Sequence, residues 1–469
     1  MAEEKKIADI VVIGGGPAGY LAAIQAARCG ASTTIIEKDV VGGTCLNRGC
    51  IPTKYYLKSA EMLLELQKFA DRGITIADPS TSINMKKAVK GKNKVVRKLT
   101  GGVKSLLISN GVTIINGTGK MISPTQVEID GKKIIETKAV ILAGGSKAIK
   151  IPIPGVESSL VLTSDEILDL ETIPKRLTVI GGGVIGIEMG LIFHSFGSEV
   201  SIVELDTSIL PFMDKEVSST LAKELKSLGI SINTGVKLEN IVEHDNMLDL
   251  NLSNGTTLQS DLALLSIGRG SDLSCIGVED LAIERGKVVV NDYGETNLSG
   301  VYAIGDINGK KMLAHAAYKM GEKAAKNACA YLKITDAKKE KTDLSAIPSV
   351  VYSVPEVGSV GLNEDEARAS YDVTVGKFPL AANGRALATG TPEGFVKVIA
   401  DTQYGKILGV HIVGHNASEI INEAAVLMTM EITVHEVAES VHGHPTIGEA
   451  FMEASADCLK ACLHLPPRS

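Results

Sequence analysis

The stretch Gly42-Gly43-Thr44-Cys45-Leu46-Asn47-Arg48-Gly49-Cys50-Ile51-Pro52-Thr53-Lys54 places two cysteines five positions apart. On a regular helix such residues point about 140° apart, too far for a disulfide, so a bridge requires an irregular turn between them. Gly49 permits that turn, and Pro52 suits the first turn of a following helix. An amphipathic run over residues 55–68 predicts that this helix continues. Cys50 is therefore expected at a helix N-terminus, where the dipole favours a thiolate.

Three interpretations of this cysteine pair are open from the stretch itself. The cysteines could be buried structural residues, half of a metal site, or a redox pair. The surrounding glycines, together with Pro52 and Lys54, favour the redox pair.

A dinucleotide-binding fingerprint precedes the cysteines. It has the required order of strand, glycine turn, helix and second strand, predicted at residues 7–13, 14–19, 20–29 and 33–36. In such a fingerprint Gly14 makes the tight turn, Gly16 lets the backbone approach a pyrophosphate, and Gly19 allows close packing of helix on strand. The helix N-terminus can hold the phosphates, and Glu37 can accept hydrogen bonds from ribose hydroxyls.

The same pattern recurs downstream, with its strand, turn, helix and second strand predicted at residues 176–180, 181–186, 187–196 and 199–203. In both copies the acid follows the first glycine by 23 positions (14 to 37 and 181 to 204), which indicates a repeated unit. A carboxylate at Glu204 pairs with a free 2′-hydroxyl and repels a 2′-phosphate, and residues 205–207 supply no arginine. The second unit is therefore predicted to bind NAD rather than NADP.

Composition and charge argue against several classes of function. The formal net charge is -7, and no cluster of Lys and Arg has the form of a phosphate-binding surface, which argues against nucleic acid as the main partner. The basic run over residues 86–98 is predicted to be the solvated face of a helix. No signal or transit peptide and no apolar run of membrane-spanning length is recognised. Seven scattered cysteines fit a reducing cytoplasm with one working disulfide.

Two further motifs carry candidate chemistry. Asp306 follows a strand predicted at residues 300–305, and it either contacts a cofactor or caps the next helix. His444 precedes Glu449 by five positions at the start of a helix. A histidine held by a carboxylate can act as a general base, whereas a metal site and a helix cap are the alternatives.

The chain changes character after about residue 346. Four short alternating strands are predicted at residues 349–352, 373–378, 395–400 and 407–413, and they favour an antiparallel sheet. Helices are predicted at residues 417–430 and 447–463, the second of which contains both Cys458 and Cys462. The predicted fold class is α/β, with two Rossmann-like dinucleotide-binding domains and a C-terminal α+β domain with an antiparallel sheet.

These motifs together resemble the FAD-dependent pyridine nucleotide–disulfide oxidoreductases, from residue 7 to about residue 456, and the stretch with the two cysteines is the most specific part of the resemblance. The resemblance implies a disulfide between Cys45 and Cys50, with Cys45 meeting the substrate and Cys50 facing the flavin. It also implies that Lys54 lies near the flavin and pairs with Glu188. Four domains are implied: FAD-binding (1–147), NAD-binding (148–271), central (272–345) and interface or dimerisation (346–469).

The family resemblance further implies which residues hold the two cofactors. The FAD site would contain Gly14, Gly16, Pro17, Ala18, Gly19, Glu37, Lys38, Thr44, Lys54, Gly117, Ala143, Gly144, Asp306, Ala314 and His315. The NAD site would contain Gly181, Gly183, Val184, Ile185, Gly186, Glu204 and Gly268. No metal is implied.

The activity implied by the resemblance is oxidation of dihydrolipoamide carried on another protein, with hydride passed to NAD⁺. His444, oriented by Glu449, would be the base, supplied across a homodimer interface to the other subunit's disulfide. The partners would be lipoyl-bearing proteins of 2-oxo acid dehydrogenase complexes or of the glycine cleavage system. Two alternatives remain: another NAD(P)H-dependent disulfide reductase, for example acting on glutathione, and an NADH-oxidising flavoprotein with idle cysteines. Glu204 argues against the first, and the cysteines with His444 argue against the second.

Overall fold

The computed structural model describes residues 7–75 and 81–467. These residues fall into two units, each assembled from three separate segments of the chain. The first unit comprises the described residues of Met1–Tyr55, Lys86–Ile149 and Gly268–Leu344, and the second comprises those of Tyr56–Met85, Lys150–Ile267 and Ser345–Ser469. In the described part of the chain, no helix is both long and apolar enough to cross a membrane.

A seven-stranded sheet forms the core of the first unit. Its parallel strands lie in the order Thr113–Asn116, Thr33–Glu37, Ala8–Ile13, Lys133–Leu142 and Val301–Ala303. The antiparallel strands Gln126–Ile129 and Gly119–Ser123 continue the sheet from Lys133–Leu142. The strand Ala8–Ile13 is almost entirely buried, because a central parallel strand is covered on both faces.

Two helices of the first unit, Pro17–Arg28 and Ala314–Tyr331, pack against each other through small residues. A Cβ atom on Gly321 would lie 2.4 Å from the carbonyl oxygen of Ala18, so only glycine allows this approach. The backbones of the two helices are therefore in close contact at this point.

The helix Met85–Ser109 carries the basic run found in the sequence. Most of its basic side chains are exposed, as predicted for a solvated face, but Lys92 is only 2% exposed. The prediction is wrong at that position, because charge pattern alone does not show where a neighbouring segment will cover a helix.

The second unit contains a five-stranded parallel sheet with the same arrangement around its glycine turn. Its strands lie in the order Ser231–Asn233, Glu199–Val203, Arg176–Ile180, Leu262–Leu265 and Val161–Thr163. It also contains the helices Val184–Ser195 and Lys215–Ser227 and an antiparallel sheet of Leu238–His244, Met247–Leu252 and Thr257–Ser260. The unit that is repeated in the sequence is thus repeated in the structure, as parallel strands in the same order around each glycine turn.

An antiparallel sheet near the C-terminus completes the second unit. Its strands lie in the order Ser349–Val351, Val357–Gly361, Ile407–Val413, Phe395–Asp401 and Val373–Pro379. The strand Val357–Gly361 is not predicted from the sequence, because its two glycines weaken the strand signal. The helices Ala417–Thr429 and Glu449–Cys458 pack on this sheet.

The last helix is shorter than the sequence predicted. It ends at Cys458, and Lys460 has a left-handed φ of 56°, which stops the helical path. Cys462 therefore lies outside the helix, and its thiol donates a hydrogen bond to the Glu453 carboxylate at 3.0 Å. The prediction that Cys458 and Cys462 share one helix is wrong.

Short elements connect these parts. They are the strands Ser146–Ala148, Arg269–Ser271, Ile283–Glu284 and Lys287–Val288, the helices Glu364–Arg368, Gly384–Thr389 and Val434–Glu439, and the 3-10 turns Ala70–Arg72, Ile167–Asp169, Gly305–Asn308 and Leu380–Ala382. The two parallel sheets and the C-terminal antiparallel sheet confirm the predicted α/β fold class. The division into four domains at residues 147, 271 and 345 stays a prediction.

A buried ion cluster forms around Lys397 of the strand Phe395–Asp401. The Lys397 side chain is 2% exposed, and its ammonium lies 3.0 Å from the Asp214 carboxylate. Glu216 and Glu364 lie 2.9 Å and 2.6 Å from the same nitrogen. Burial opposes the charged form of Lys397, but hydrogen bonds to these acids raise its pKa overall. A buried ammonium is tolerated only with such partners, and the acids depend on it in turn.

We expect replacement of Lys397 by methionine to lower the free energy of unfolding by about 3–5 kcal/mol, because it leaves buried Asp214 uncompensated. Lys377 is the matched control, since it lies opposite Lys397 on the neighbouring strand. It also forms an ion pair with Glu216 at 2.8 Å, but its side chain is 36% exposed. Lys377→Met should cost about 1 kcal/mol or less. Chemical denaturation of both variants measures the difference. Equal losses would contradict the assignment of the buried cluster.

Candidate active site

The segment with the two cysteines rests directly on the first glycine turn. The Gly42 amide donates a hydrogen bond to the Gly15 carbonyl at 2.8 Å. Gly43 has a left-handed φ of 58°, and a Cβ atom on it would lie 2.5 Å from the Cα of Gly16. No side chain fits between the two backbones, so the segment is held at a fixed position on the turn.

The predicted break between the cysteines is present at Gly49. A short helix, Gly43–Arg48, ends there, and a second helix, Cys50–Leu66, begins at the next residue. Gly49 has φ -143° and ψ -113°, which lie outside the helical region. The expectation that Cys50 stands at a helix N-terminus is confirmed, although the helix begins earlier than the amphipathic run suggested.

The break brings the side chains of Cys45 and Cys50 into hydrogen-bonding contact. This hydrogen bond, burial and the charge of Cys50 raise the pKa of Cys45, whereas the nearby ammonium of Lys54 acts in the opposite direction. Cys45 is half-buried and Cys50 is exposed. The arrangement is a thiol pair beside a cation, in which one thiol becomes a thiolate only if a base or the cation assists it.

Two tyrosines that the sequence analysis did not single out lie beside the thiol pair. Tyr20 and Tyr318 come from two packed helices, their ring centroids lie 6.1 Å apart at 60°, and their side chains share a hydrogen bond. Burial, the bond to Tyr20 and the charges of the two cysteines raise the pKa of Tyr318. Both rings therefore remain neutral beside the thiols. No local motif signals this pair, because the two residues lie about 300 positions apart.

The glycines of the first fingerprint form a cradle for a phosphate group. Gly14 has φ 105°, and a Cβ atom there would lie 2.2 Å from the Ala143 carbonyl oxygen. A Cβ atom on Gly19 would lie 1.8 Å from the Gly14 oxygen. A Cβ atom on Gly16 would meet nothing nearer than 3.8 Å, so the turn is open where the helix Pro17–Arg28 begins. Pro17 and Ala18 are the first two residues of this helix, and its N–H groups suit a pyrophosphate.

The second fingerprint repeats this geometry. Gly181 has φ 108°, and a Cβ atom on it would lie 2.5 Å from the Ser266 carbonyl oxygen. A Cβ atom on Gly186 would lie 2.0 Å from the Gly181 oxygen, whereas one on Gly183 would meet nothing within 4 Å. The helix Val184–Ser195, which begins with Val184 and Ile185, starts at this open point. The cradle fits a second pyrophosphate.

The acids at the ends of the second strands are oriented in the same way in both copies. Each carboxylate accepts one backbone hydrogen bond on each oxygen, and its remaining lone pairs suit ribose hydroxyls. The donors are Gly15 (2.6 Å) and Asp39 (2.9 Å) for Glu37, and Gly182 (2.6 Å) and Asp206 (2.8 Å) for Glu204. Both sites therefore fit a dinucleotide.

A polar network extends from the cysteine segment to Asp306. The Ser146 hydroxyl donates to the Asp306 carboxylate at 2.6 Å, and the Arg269 guanidinium donates to the Ser146 hydroxyl at 2.9 Å. Arg269 also lies 3.5 Å from the Thr44 hydroxyl. Ile304 and Leu313, rather than Asp306, cap the next two helical segments, so the alternative that Asp306 is a helix cap is wrong. The sequence analysis assigned no role to Ser146 or Arg269.

The remaining residues assigned to the flavin also lie in the first unit. Gly117 donates a backbone hydrogen bond to the Glu37 carbonyl at 2.9 Å, and a Cβ atom on Gly144 would lie 2.7 Å from the carbonyl oxygen of Asp272. Lys38 forms an ion pair with Asp272 at 3.3 Å. Ala314 and His315 begin the helix Ala314–Tyr331. Arg48, which lies between the two cysteines, forms an ion pair with Asp39.

The second unit contains the histidine assigned as the base. His444 Nδ1 lies 2.9 Å from Glu449 Oε1, and the other oxygen of Glu449 accepts the Thr446 amide at 2.7 Å. Burial opposes ionisation of Glu449, but the Thr446 and His444 hydrogen bonds lower its pKa overall. With Nδ1 engaged and the side chain 79% exposed, Nε2 is the atom of His444 that can take a proton.

A second histidine–carboxylate pair lies close by along the chain. His442 Nε2 lies 3.0 Å from Glu423 Oε1, and the His442 side chain is 12% exposed. Among the residues that the structure describes, no group of three or more His, Cys, Asp or Glu side chains is arranged to hold a metal ion. The two histidines are thus each paired with one carboxylate, and only His444 is presented to solvent.

The roles assigned to the site residues, including Glu188 and Gly268, stay predictions. Glu188 is 4% exposed in the helix Val184–Ser195, and its carboxylate accepts the Tyr352 amide at 3.1 Å. Glu188 belongs to the second unit and Lys54 to the first, so the pairing of Lys54 with Glu188 stays a prediction. Gly268, assigned to NAD, has φ 124° and lies in the first unit.

Comparison with known proteins identifies relatives over nearly the whole chain. Residues 8–321 match the pyridine nucleotide-disulphide oxidoreductase family, and residues 347–455 match its dimerisation domain. Dihydrolipoyl dehydrogenase of Chlamydia trachomatis is 38% identical over 467 residues, which cover 98% of both chains. The mitochondrial dihydrolipoyl dehydrogenase of Pisum sativum is 37% identical, covering 97% of this chain and 92% of that one. The structure of LpdA from Mycobacterium tuberculosis is 27% identical with a TM-score of 0.86, covering 95% and 98%.

We expect Gly181→Ala to weaken binding of NADH at least about tenfold, because the new Cβ would force the turn away from Ser266. Gly197→Ala is the matched control: its φ of 109° imposes the same left-handed strain, but a Cβ atom there meets nothing within 4 Å. Calorimetric titration with NADH should therefore leave Gly197→Ala within about twofold of the native protein. Equal weakening by both substitutions would show that strain rather than the cradle is responsible.

Proposed function

The chain belongs to the pyridine nucleotide-disulphide oxidoreductase family and uses FAD and NAD, and from this membership we propose that it oxidises dihydrolipoamide with NAD⁺ as the final acceptor. The observation that carries the proposal is the hydrogen-bonded pair Cys45 and Cys50 at a helix break on the first glycine turn. A dithiol substrate requires a protein disulfide that can form and open in place.

The two fingerprints are the proposed cofactor sites. The first glycine turn, Glu37 and the network around Asp306 would hold FAD, and the second turn with Glu204 would hold NAD. FAD, held by these residues, would supply the two-electron redox chemistry that links the cysteine thiols to NAD⁺. Glu204 would select NAD, because its carboxylate accepts from a free 2′-hydroxyl and repels a 2′-phosphate.

The protein side chains supply the thiol chemistry. His444 Nε2 removes a proton from one substrate thiol, and Glu449 stabilises the resulting imidazolium. The substrate thiolate attacks the Cys45 sulfur, the Cys45–Cys50 bond breaks, and Cys50 leaves as a thiolate. The second substrate thiol then loses its proton to water and attacks the substrate sulfur bound to Cys45, the bond from that sulfur to Cys45 breaks, and Cys45 leaves with the electron pair and takes the proton held by His444. Substrate leaves as a cyclic disulfide, and the cysteines keep its two electrons.

A homodimer completes the proposed site. His444 and Glu449 lie in the segment that matches the family's dimerisation domain, whereas the cysteines lie in the other matched segment. We infer that each subunit supplies its base to the disulfide of the other. The neutral rings of Tyr20 and Tyr318 beside the thiols suit the hydrocarbon arm of a lipoyl group better than a charged peptide. The proposed partners are lipoyl-bearing proteins of a 2-oxo acid dehydrogenase complex or of the glycine cleavage system, and the proposed location is the cytoplasm.

We expect His444→Gln to lower kcat for NAD⁺ reduction by dihydrolipoamide about 10²- to 10⁴-fold, because the substrate thiol loses its base. His442→Gln is the matched control, since it breaks a histidine–carboxylate pair of similar length two residues away. Its kcat should fall by less than about tenfold. Steady-state rates at saturating substrate measure both. A His444 variant with native kcat, or equal losses in the two variants, would contradict the assignment.

A further inference from the structure

A second pair of cysteines joins the two packed helices of the first unit. Cys29 follows the last residue of the helix Pro17–Arg28, and Cys329 lies in the last turn of the helix Ala314–Tyr331. The Cys329 sulfur lies 3.9 Å from the Ala26 carbonyl oxygen, and the Cys29 amide donates to the same oxygen at 3.1 Å. One carbonyl group thus contacts both cysteines.

The two thiols lie close enough for Cys29 to influence the ionisation of Cys329, and the Cys29 sulfur also accepts a hydrogen bond from the Gln25 amide at 3.3 Å. The surrounding backbone is held close by other contacts. A Cβ atom on Gly30 would lie 3.7 Å from the Ile334 side chain, just past the two cysteines, and Gly321 touches Ala18 further along the same helices. Two cysteines that meet at one carbonyl group on fixed backbones are placed so that rotation about their Cα–Cβ bonds can bring the sulfurs together.

The two cysteines differ in access and therefore in chemistry. Cys29 is partly exposed, whereas Cys329 is fully buried. The ion pair with Glu322 and, to a smaller extent, the charge of Cys29 raise the pKa of Lys326, which places this ammonium within electrostatic range of the Cys29 thiol. An accessible thiol near a cation is readily oxidised to a sulfenic acid by an oxidant in solution. A buried neighbouring thiol can then react with that sulfenic acid to form a disulfide.

We propose that Cys29 and Cys329 form an oxidation site for hydroperoxides, which closes to a second disulfide between the helices Pro17–Arg28 and Ala314–Tyr331. The Cys29 thiolate attacks a peroxide oxygen, the O–O bond breaks, and a sulfenic acid and an alcohol or water form. The Cys329 sulfur then attacks the Cys29 sulfur, an S–S bond forms, the S–O bond breaks, and water leaves. Two thiols and one hydroperoxide become one disulfide, one alcohol or water, and one further water.

The buried thiol is suited to the second step rather than the first. Burial and the charge and hydrogen bond of Cys29 raise the pKa of Cys329 to about 12. Conversion of Cys29 to an uncharged sulfenic acid removes the contribution of its charge, so Cys329 ionises more readily once its target has formed. The closed bond would join positions 29 and 329, and so restrain the long stretch of chain between them, which includes Tyr318 and the thiol pair Cys45 and Cys50. This site does not depend on the proposed substrate.

The test is to map disulfides in the intact holoenzyme after exposure to hydrogen peroxide. The fully reduced protein is treated with a few equivalents of hydrogen peroxide, alkylated and digested without reductant. We expect a peptide pair joined through Cys29 and Cys329, about 2 Da lighter than the two thiol peptides together and separated again by dithiothreitol. The melting temperature of the oxidised protein should rise by several degrees. Both residues found alkylated after the treatment would overturn the proposal.

Two variants identify the order of the steps. In Cys329→Ala, the sulfenic acid on Cys29 has no resolving thiol, so it should persist and react with dimedone, and the rise in melting temperature should be lost. Cys462→Ala, which removes another partly exposed thiol, should leave the Cys29–Cys329 link and the rise unchanged. Dimedone labelling of Cys329 rather than Cys29, or a link from Cys29 to any other cysteine, would contradict the proposal.

Discussion

A contact between two glycine backbones fixes the geometry on which the rest of the site depends. Gly43 lies so close to Gly16 that no side chain fits between them, and the hydrogen bond between Gly42 and Gly15 keeps the segments in register. The cysteines are thereby tied to the same turn that would receive the pyrophosphate. The helix break at Gly49 then turns a spacing of five into a thiol contact, which a continuous helix could not provide.

Predictions from the sequence are most accurate where the backbone conformation or its burial admits only a few types of residue. Both fingerprints have the expected glycine geometry, and the predicted strands Arg176–Ile180 and Ile407–Val413 agree with the structure to the residue. A tight turn with a left-handed φ admits almost only glycine, and a strand that is buried on both faces favours a run of β-branched and other apolar residues. Glycine turns and buried strands can therefore be predicted from a short segment of the sequence.

The features that the sequence did not reveal depend on contacts between distant segments. Tyr20 and Tyr318 meet only because two helices pack, and Arg269 joins the site through the hydroxyl of Ser146. Lys397 gave no signal either, because a lysine in a strand predicts an exposed position unless its acidic partners are known. The contacts of the two tyrosines and of Arg269 surround the segment with the thiol pair. The features that would determine substrate specificity are therefore the least predictable part of the site from sequence alone.

The Cys45–Cys50 pair is proposed to oxidise a dithiol and to deliver its electrons to NAD⁺. The most direct measurement compares two rates for the purified protein: NAD⁺ reduction with dihydrolipoamide, and NADPH oxidation with glutathione disulfide. We expect turnover only in the first assay, and its loss in Cys45→Ser. Turnover only in the second assay would contradict the roles given to Glu204 and to the neutral tyrosine rings together.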